Sequence, residues 1–377
     1  MNPKPKKVRK KKFNFLPDYI SSLVWGFTLL LSLYTLIVYS LSYLLIFSHW
    51  IAGFLMMSLP IAQFLTFFVF IYWLIQRPKR ALVPFLILVI GYGFYGRTYV
   101  NNSLPLSDKK DFSVLTYNTF GMFSGYSDPN SKGLNSLKNF IESNTAEIKC
   151  FQEFYYNSKR QDYKSLDYLT KYTPHYVNIG FDKDFYDKEE EMGLAIFSKY
   201  PILEHGGEEF ENSTNGYIWA NIKIGNQIIK VINVQLFSMS IRIGKVASQL
   251  KTQNYETAGN ESRGILSSLK KGFIFHKKEI DIINELIRES EYPVIVTGDI
   301  NETPYGYVYG TLRERLNNAF EVSGRGYGFT LARAPYFVRI DNQFFSDELN
   351  STRFETLSEI KYSDHYPIFG DYQFSEE

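Results

Sequence analysis

The sequence predicts three membrane-spanning helices followed by an α+β domain in which helices cover mixed β-sheets. Three observations lead to this prediction. The N-terminal quarter contains three long apolar runs, and the remainder alternates short β-rich runs with helical stretches and polar turns. The charge also changes sign between the two parts. With one cysteine, the chain has neither an internal disulfide framework nor a Cys-rich zinc module.

The net charge of +2 is the sum of two large opposite charges. Residues 1–99 hold eleven Lys or Arg and a single acid, Asp18, which gives +10. The remainder therefore holds 30 basic and 38 acidic side chains, which gives −8. Such a division indicates two parts in different environments. The acidic part argues against a general nucleic-acid binder, because that function relies on Lys and Arg.

The three apolar runs predict a membrane anchor, since a spanning helix needs about 20 apolar residues. They occupy about residues 19–47, 51–75 and 81–99, and the third is interrupted by Pro84, Gly91 and Gly93. A cleavable signal peptide has a shorter apolar core of about 7 to 15 residues. A transporter or channel would carry ionisable residues within its spans. The runs fit neither class.

The basic residues around these runs predict the orientation, because positively charged loops stay on the cytoplasmic side. The basic tail, residues 1–18, and the QRPKR segment between the second and third runs both belong inside. We therefore expect a multi-pass inner-membrane protein with a cytoplasmic N-terminus. Residues 100–377 are then an extracytoplasmic domain.

The pattern beyond residue 100 predicts strands and helices in alternation. We expect strands ending at Asn118 and Glu153 and over 192–202, 217–224, 227–237 and 292–301, with helices over 134–143 and 276–289. The polar stretch 238–271 is expected to be a long surface insertion. Cys150 lies in an apolar run and is expected in the core. His276 has no carboxylate at ligand spacing and is expected to be structural or on the surface.

Polar side chains follow several of these apolar runs directly, at the positions where a sheet can direct them to one place. They are Asn118, Glu153, Asp299, Asn301, Asp341, Asp364 and His365. Each alone is weak evidence, because a Gly-Asp-Ile-Asn segment also fits a turn. Together they suggest one site built from distant parts of the chain.

These residues lie in six ordered blocks that resemble the endonuclease/exonuclease/phosphatase superfamily of metal-dependent phosphoesterases. The blocks are LTYN, FQE, GLAIFSKYPI, GDIN, RID and SDHYP, and the resemblance covers about residues 111–374. It implies a four-layered α/β/β/α sandwich of the DNase I-like kind. It also implies hydrolysis of a phosphate ester with Mg²⁺ or Mn²⁺, which agrees with a ligand set of carboxylate and amide oxygens.

The resemblance also implies a role for each residue. Glu153 would be the principal metal ligand, with Asn118 and Asp364 beside it. Asp299 would orient or deprotonate the attacking water, and Asn301 would hold that water or a phosphate oxygen. Asp341 would orient His365. His365 would then contact the scissile phosphate or act as general acid/base. Whether His365 or Asp299 takes the proton stays open.

One position departs from the family pattern. Gln235 stands where the family most often has a His that donates to the scissile phosphate. A glutamine amide can donate, but it cannot be cationic or transfer a proton. The alternative to a phosphoesterase is therefore a weakened or inactive domain that binds a phosphorylated ligand or partner at the membrane surface.

The substrate class stays open at this stage. A nucleic acid, a nucleotide and a lipid headgroup all carry the required phosphate ester. The net charge of −8 disfavours nucleic acid. Tethering to a lipid bilayer mildly favours a lipid or a small soluble substrate.

Overall fold

The computed structural model describes residues 18–47, 49–103, 109–125, 132–160, 163–181, 189–211, 215–239, 248–249, 251–252, 255–333 and 335–375. Nearly all of the predicted basic tail, residues 1–18, lies outside the described residues. The N-terminal region forms α1 (Asp18–Leu44), α2 (Trp50–Met57), α3 (Leu59–Gln76), α4 (Pro78–Ile90), a 3₁₀ turn (Gly91–Phe94) and α5 (Tyr95–Thr98).

Among the described residues of this region, three segments are helical, long and apolar enough to cross a membrane. They are Tyr19–Leu44, Leu59–Gln76 and Pro78–Thr98. The second differs from the prediction, because run 51–75 is divided between α2 and α3. The Ser58 hydroxyl donates to the carbonyl of Leu55 (2.6 Å), and Pro60 in the first turn of α3 has no N–H to continue the preceding helix.

The described residues of the rest of the chain form a domain of two six-stranded sheets, one two-stranded sheet and several helices. In chain order its elements are β1 (Val100–Asn101), β2 (Phe112–Asn118), a 3₁₀ turn (Phe120–Gly125), α6 (Lys132–Ser143), β3 (Ile148–Asn157), α7 (Ser165–Leu169), β4 (His175–Gly180), β5 (Glu190–Ser198), β6 (Ile202–Glu209), β7 (Gly216–Ile224), β8 (Gln227–Gln235), α8 (Tyr255–Arg288), β9 (Val294–Asp299), α9 (Tyr307–Arg313), β10 (Asn317–Asn318), α10 (Ala319–Ser323), β11 (Arg325–Gly326), β12 (Asp341–Phe345), β13 (Leu349–Thr356) and β14 (Ile368–Phe374).

The two six-stranded sheets have the orders β10-β12-β9-β8-β7-β6 and β13-β14-β2-β3-β5-β4. The pairs β8/β9 and β2/β3 are parallel, and the other pairs within these two sheets are antiparallel. The predicted run 192–202 ends β5 and begins β6, which belong to different sheets. The strands are rich in Val, Ile and Phe because both faces of each sheet are covered.

Three apolar clusters show the layering. One lies between the sheets and includes Cys150 of β3 and Val231 of β8, so the cysteine is a core residue as predicted. A second packs α8 and α9 on one outer face, and a third packs α6 and α7 on the other. The predicted four-layered α/β/β/α sandwich, preceded by three apolar helices, is confirmed.

The prediction for 238–271 is wrong over its second half, because α8 begins at Tyr255 and runs 34 residues to Arg288. The predicted helix 276–289 is only its C-terminal part. In the N-terminal part, Leu269 and Phe273 pack against α2, where the Phe54 and Phe273 ring centroids lie 5.4 Å apart. Leu269 is apolar within the polar stretch 238–271 because it packs on the N-terminal helical region, residues 18–98.

Candidate active site

The register of one sheet places three predicted site residues in a single row. Asp299, at the end of β9, pairs with Gln235 of β8 on one side and with Asp341 of β12 on the other. Gly298 makes the close approach of β8 possible. Its φ is +134°, and a Cβ there would lie 1.9 Å from the carbonyl oxygen of Val234.

The other sheet contributes Asn118 and Glu153. The β3 register shifts between Phe151 and Phe154, and Glu153 inside this bulge has a φ of +50°. A bulge with a left-handed residue changes the direction of the side chain, which is a feature of functional positions. The Asn118 amide nitrogen then donates to Glu153 Oε1 (3.2 Å) and to Asp299 Oδ2 (3.1 Å). Asn118 therefore links the two sheets.

Gln235 contacts Glu153 directly. Its amide nitrogen donates to Glu153 Oε1 over 2.8 Å, and the side chain is almost fully buried. The predicted departure from the family pattern is therefore a residue that holds the central carboxylate. Glu153 Oε1 receives two amide donors, from Asn118 and from Gln235.

His365 lies between carboxylates. Its Nδ1 is 2.9 Å from Asp341 Oδ2, and its Nε2 is 3.9 Å from Asp299 Oδ2 and 3.9 Å from Asp364 Oδ1. The segment carrying Asp364 and His365 is fastened by Ser363, whose hydroxyl donates to the carbonyl of Asn118 (2.8 Å).

Burial and neighbouring charge act in opposite directions on this cluster. Burial lowers the pKa of His365, but the charges of Asp341 and Asp299 outweigh it and raise that pKa to about 10. Burial raises the pKa of Asp299 to about 7, with a further contribution from Asp341 and opposition from His365. The protein therefore keeps at least one exchangeable proton within this group near neutral pH.

Asn301 completes the set by shaping the turn after β9. It adopts a φ of +48°, which asparagine tolerates better than most residues. Its backbone N–H donates to Asp299 Oδ1 (3.0 Å), and its side-chain nitrogen donates to the carbonyl of Leu236 (3.0 Å). All eight predicted site residues thus belong to one connected cluster, while their roles stay predictions.

The donor chemistry of the cluster fits a hard divalent cation. The carboxylate oxygens of Glu153 and Asp299 both accept from the amide nitrogen of Asn118. Asp364 lines the same cavity as these two carboxylates. Oxygen donors and excess negative charge suit Mg²⁺ or Mn²⁺. Asp299, Asp341 and His365 also have donor atoms within 4.8 Å of one another. Two of these three side chains are already hydrogen-bonded to each other, so the trio fits an ion-paired cluster better than a metal site.

Sequence reasoning missed several residues at the site. Arg333 Nε lies 2.7 Å from Asp364 Oδ2, and the Thr330 hydroxyl accepts from the backbone N–H of Asp341 (3.1 Å). His276, which has no carboxylate at ligand spacing in the sequence, is buried with its Nδ1 3.1 Å from Glu302 Oε2. Of the two expectations for it, structural or on the surface, the structural one holds, and its partner is on another element, directly after Asn301.

A cavity of about 890 Å³ opens from this cluster. Glu153, Asp299, Asn301, Asp364 and His365 form one part of its wall. Other parts of the wall are formed by the N-terminal helical region and by α8. Access to the site is thus shaped by two parts of the chain.

The turn after Asn301 is attached to the helical region. Tyr305 packs in a cluster with residues of α1 and α3, and its hydroxyl lies 2.8 Å from Thr98 Oγ1. Arg97 donates to the carbonyl of Pro304 (3.2 Å). Three tyrosines, Tyr305, Tyr307 and Tyr309, alternate after the GDIN block. Tyr305 lines the cavity, and Tyr309 is buried against Phe344.

Comparisons with known proteins agree with this geometry. A sequence profile described as the Endonuclease/Exonuclease/phosphatase family matches residues 115–365, two thirds of the chain. A second profile, described as a domain of unknown function (DUF8431), matches residues 21–98. No curated relative matches the sequence significantly.

Solved structures resemble this chain at low sequence identity. An endonuclease/exonuclease/phosphatase from Beutenbergia cavernae is 12% identical, with a TM-score of 0.53, and the match covers 71% of this chain and 72% of that one. A mannosyl-6-phosphatase from Bacteroides thetaiotaomicron is 17% identical with a TM-score of 0.46, and the match covers 70% and 100%. A family protein from Leptotrichia buccalis is 16% identical with a TM-score of 0.48, and the match covers 70% and 100%.

Proposed function

Because the chain belongs to the endonuclease/exonuclease/phosphatase family, we propose that it is a membrane-anchored phosphoesterase that uses Mg²⁺ or Mn²⁺. The observation that carries the proposal is the single buried cluster formed by Asn118, Glu153, Asp299 and His365 at the wall of a large cavity. A general structural role does not account for so many polar groups drawn from both sheets.

Glu153, Asn118 and Asp364 would hold the metal ion. When bound, such an ion neutralises phosphate charge and lowers the pKa of bound water. Glu153 is positioned for this role by two amide donors, which fix the direction of its carboxylate. Arg333 beside Asp364 adds a guanidinium close to the place where a phosphate would lie.

The remaining residues would guide water and protons. Asp299 is oriented by the Asn301 N–H and would align the attacking water, and a P–O bond forms as the ester P–O bond breaks. Asp341 engages Nδ1 of His365, so Nε2 is the nitrogen left to act on a phosphate in the cavity that His365 lines. From there His365 would contact the phosphate or give a proton to the departing oxygen.

The test uses the full chain in nanodiscs, because the turn after Asn301 packs on the helical region. Hydrolysis of p-nitrophenyl phosphate and bis-p-nitrophenyl phosphate is measured with Mg²⁺ and with Mn²⁺. We expect turnover that EDTA abolishes and added metal restores. Glu153→Gln and His365→Gln should each lose at least about 100-fold in kcat/KM, as expected when a preorganised polar group is removed.

A matched control is His205→Gln, because His205 is an exposed histidine on β6. It should keep wild-type activity. Absence of turnover on these esters, on nucleotides, on DNA and on phospholipids would refute the proposal. If metal binding were then still measurable by calorimetry, the alternative function, a phosphate-binding domain without catalysis, would replace it.

We further propose that the three apolar helices cross the inner membrane, with the N-terminus in the cytoplasm and the catalytic domain outside it. The support is the length and composition of the helices and the basic residues that flank them. Reporter fusions after residue 77 and after residue 375 test the orientation. The first should report a cytoplasmic position and the second an extracytoplasmic one, and the opposite pattern would refute the topology.

A further inference from the structure

The cavity of the candidate site is continuous with the outer ends of the apolar helices. Its wall includes Met57, the last residue of α2, and Pro60 and Ile61, in the first turn of α3. The same wall includes Asp299 and His365. One cavity therefore reaches from the catalytic carboxylates to the level at which a membrane-spanning helix begins.

Three parts of the chain contribute apolar side chains to the cavity wall. The helical region contributes Met57 and Ile61, α8 contributes Ile265 and Leu269, and the segment before β12 contributes Phe337. Ile61 is 65% exposed and Phe337 is 78% exposed. Large apolar side chains that are exposed and line the same cavity indicate a partner that is itself apolar.

The positive charge of the described wall is carried by arginines, and one of them contacts a site carboxylate. Arg97, Arg333 and Arg339 line the cavity, and Arg333 is paired with the site carboxylate Asp364. No lysine is present among the described residues that line it. A phosphate group is thus favoured near the carboxylates, while a nucleic-acid backbone would find no basic track leading to them.

The volume is suited to more than a phosphate. At about 890 Å³ the cavity lies near the upper end of the roughly 300–1,000 Å³ common for small-molecule sites. A phosphate headgroup would match the polar groups next to Asp299, and several methylene groups would match the apolar side chains of Ile265 and Phe337. Ile61, a wall residue in the first turn of α3, lies by the proposed topology near the outer surface of the bilayer.

We propose that the substrate is a membrane lipid carrying a phosphate ester, whose phosphate lies at the carboxylates while its apolar chain occupies the section between α2, α8 and Phe337. This inference rests on the proposed phosphoesterase function and names its substrate class. The lipid enters from the bilayer beside the first turn of α3, and the ester bond is cleaved by water with release of the alcohol.

The test measures kcat/KM for a homologous series of phosphate esters with one headgroup and chains of two, four, six and eight carbons. The enzyme is the full chain in nanodiscs of phosphatidylcholine. Each methylene that enters an apolar cavity from water favours binding by up to about fourfold. We expect kcat/KM to rise at least about 100-fold across the series in the wild type.

Longer esters also partition more strongly into the lipid disc, and this effect is the same for every variant. Two pairs of variants therefore distinguish binding in the cavity from partitioning into the disc. Ile265→Asn and Phe337→Ser alter the wall, and each should flatten the dependence on chain length. Leu266→Asn and Tyr336→Ser are the matched controls, because each is the sequence neighbour, exposed, and outside the described cavity wall. They should keep the wild-type slope. Phe337 is so exposed that its replacement leaves the core intact.

The outcomes distinguish this inference from the function on which it rests. Hydrolysis that depends on Glu153 but not on chain length would leave the phosphoesterase in place and overturn the lipid substrate. Equal slopes in Ile265→Asn and Leu266→Asn would overturn it as well, and so would a higher kcat/KM for single-stranded DNA or a nucleotide than for every ester in the series. Absence of hydrolysis with any ester would overturn the phosphoesterase function itself.

Discussion

The hydrogen bond between Gln235 and Glu153 leads to a quantitative prediction for Gln235→Leu. Leucine has a similar size and suits a buried position, but it lacks the amide that donates to Glu153 Oε1 over 2.8 Å. A hydrogen bond to a charged group contributes about 1.5–3 kcal/mol. If the carboxylate direction matters fully in the transition state, kcat/KM falls about 10- to 150-fold, since about 1.4 kcal/mol corresponds to a factor of ten.

The assay is steady-state hydrolysis of a phosphodiester by the full chain in nanodiscs at saturating metal, so that weaker metal binding does not dominate the result. Gln227→Leu is the matched control, because Gln227 begins the same strand and is exposed. It should stay within about twofold of the wild type. Gln235→Leu with wild-type kcat/KM would refute the positioning role. Gln235→His with a large gain in activity would show instead that the native glutamine weakens catalysis.

Three further changes test the fold around the site. Burial lowers the pKa of Lys149 to about 8, so keeping this side chain protonated destabilises the folded state. From pH 7 to 10.5 the free energy of unfolding of the wild type should therefore rise by about 3 kcal/mol relative to Lys149→Met. Parallel denaturation profiles of the two proteins in detergent would contradict this. Gly298→Ala should lower the denaturation midpoint far more than Gly225→Ala, because both have positive φ but only Gly298 would place a Cβ against a neighbouring strand; equal midpoints would speak against the close approach. Tyr305→Phe and Thr98→Val should each lower activity severalfold, with no further loss in the double variant, because both remove the same hydrogen bond; additive losses would show that the two residues act independently.

The sequence was sufficient to predict the layers of the fold and the members of the site. Asn118 and Asp299 each end an apolar strand, so the pattern alone places them at a sheet edge. The direction of Glu153 was not predictable, because it depends on a bulge and a left-handed backbone that have no signature in FQEF. Its contact with Gln235 depends on how the two sheets are packed, which no local pattern records.

The other omissions have a common physical cause, which is contact between elements far apart in the chain. The N-terminal half of α8 is polar in sequence, because only a narrow line of apolar residues faces α2. His276 and Glu302 are separated by 26 positions and meet only when α8 lies along the turn after β9. Arg333 reaches Asp364 from a segment without regular structure, where neither period nor propensity predicts direction.

The packing of Tyr305 among α1 and α3 has a consequence for biogenesis. A nascent chain finishes its helical region long before residue 305 is made, so the surface that receives the tyrosine exists before the catalytic turn does. We expect the turn to acquire its active shape only after it docks there. A protease that cleaved the chain near residue 103 would then release an impaired enzyme. Full activity would therefore be limited to chains whose helical region is still attached.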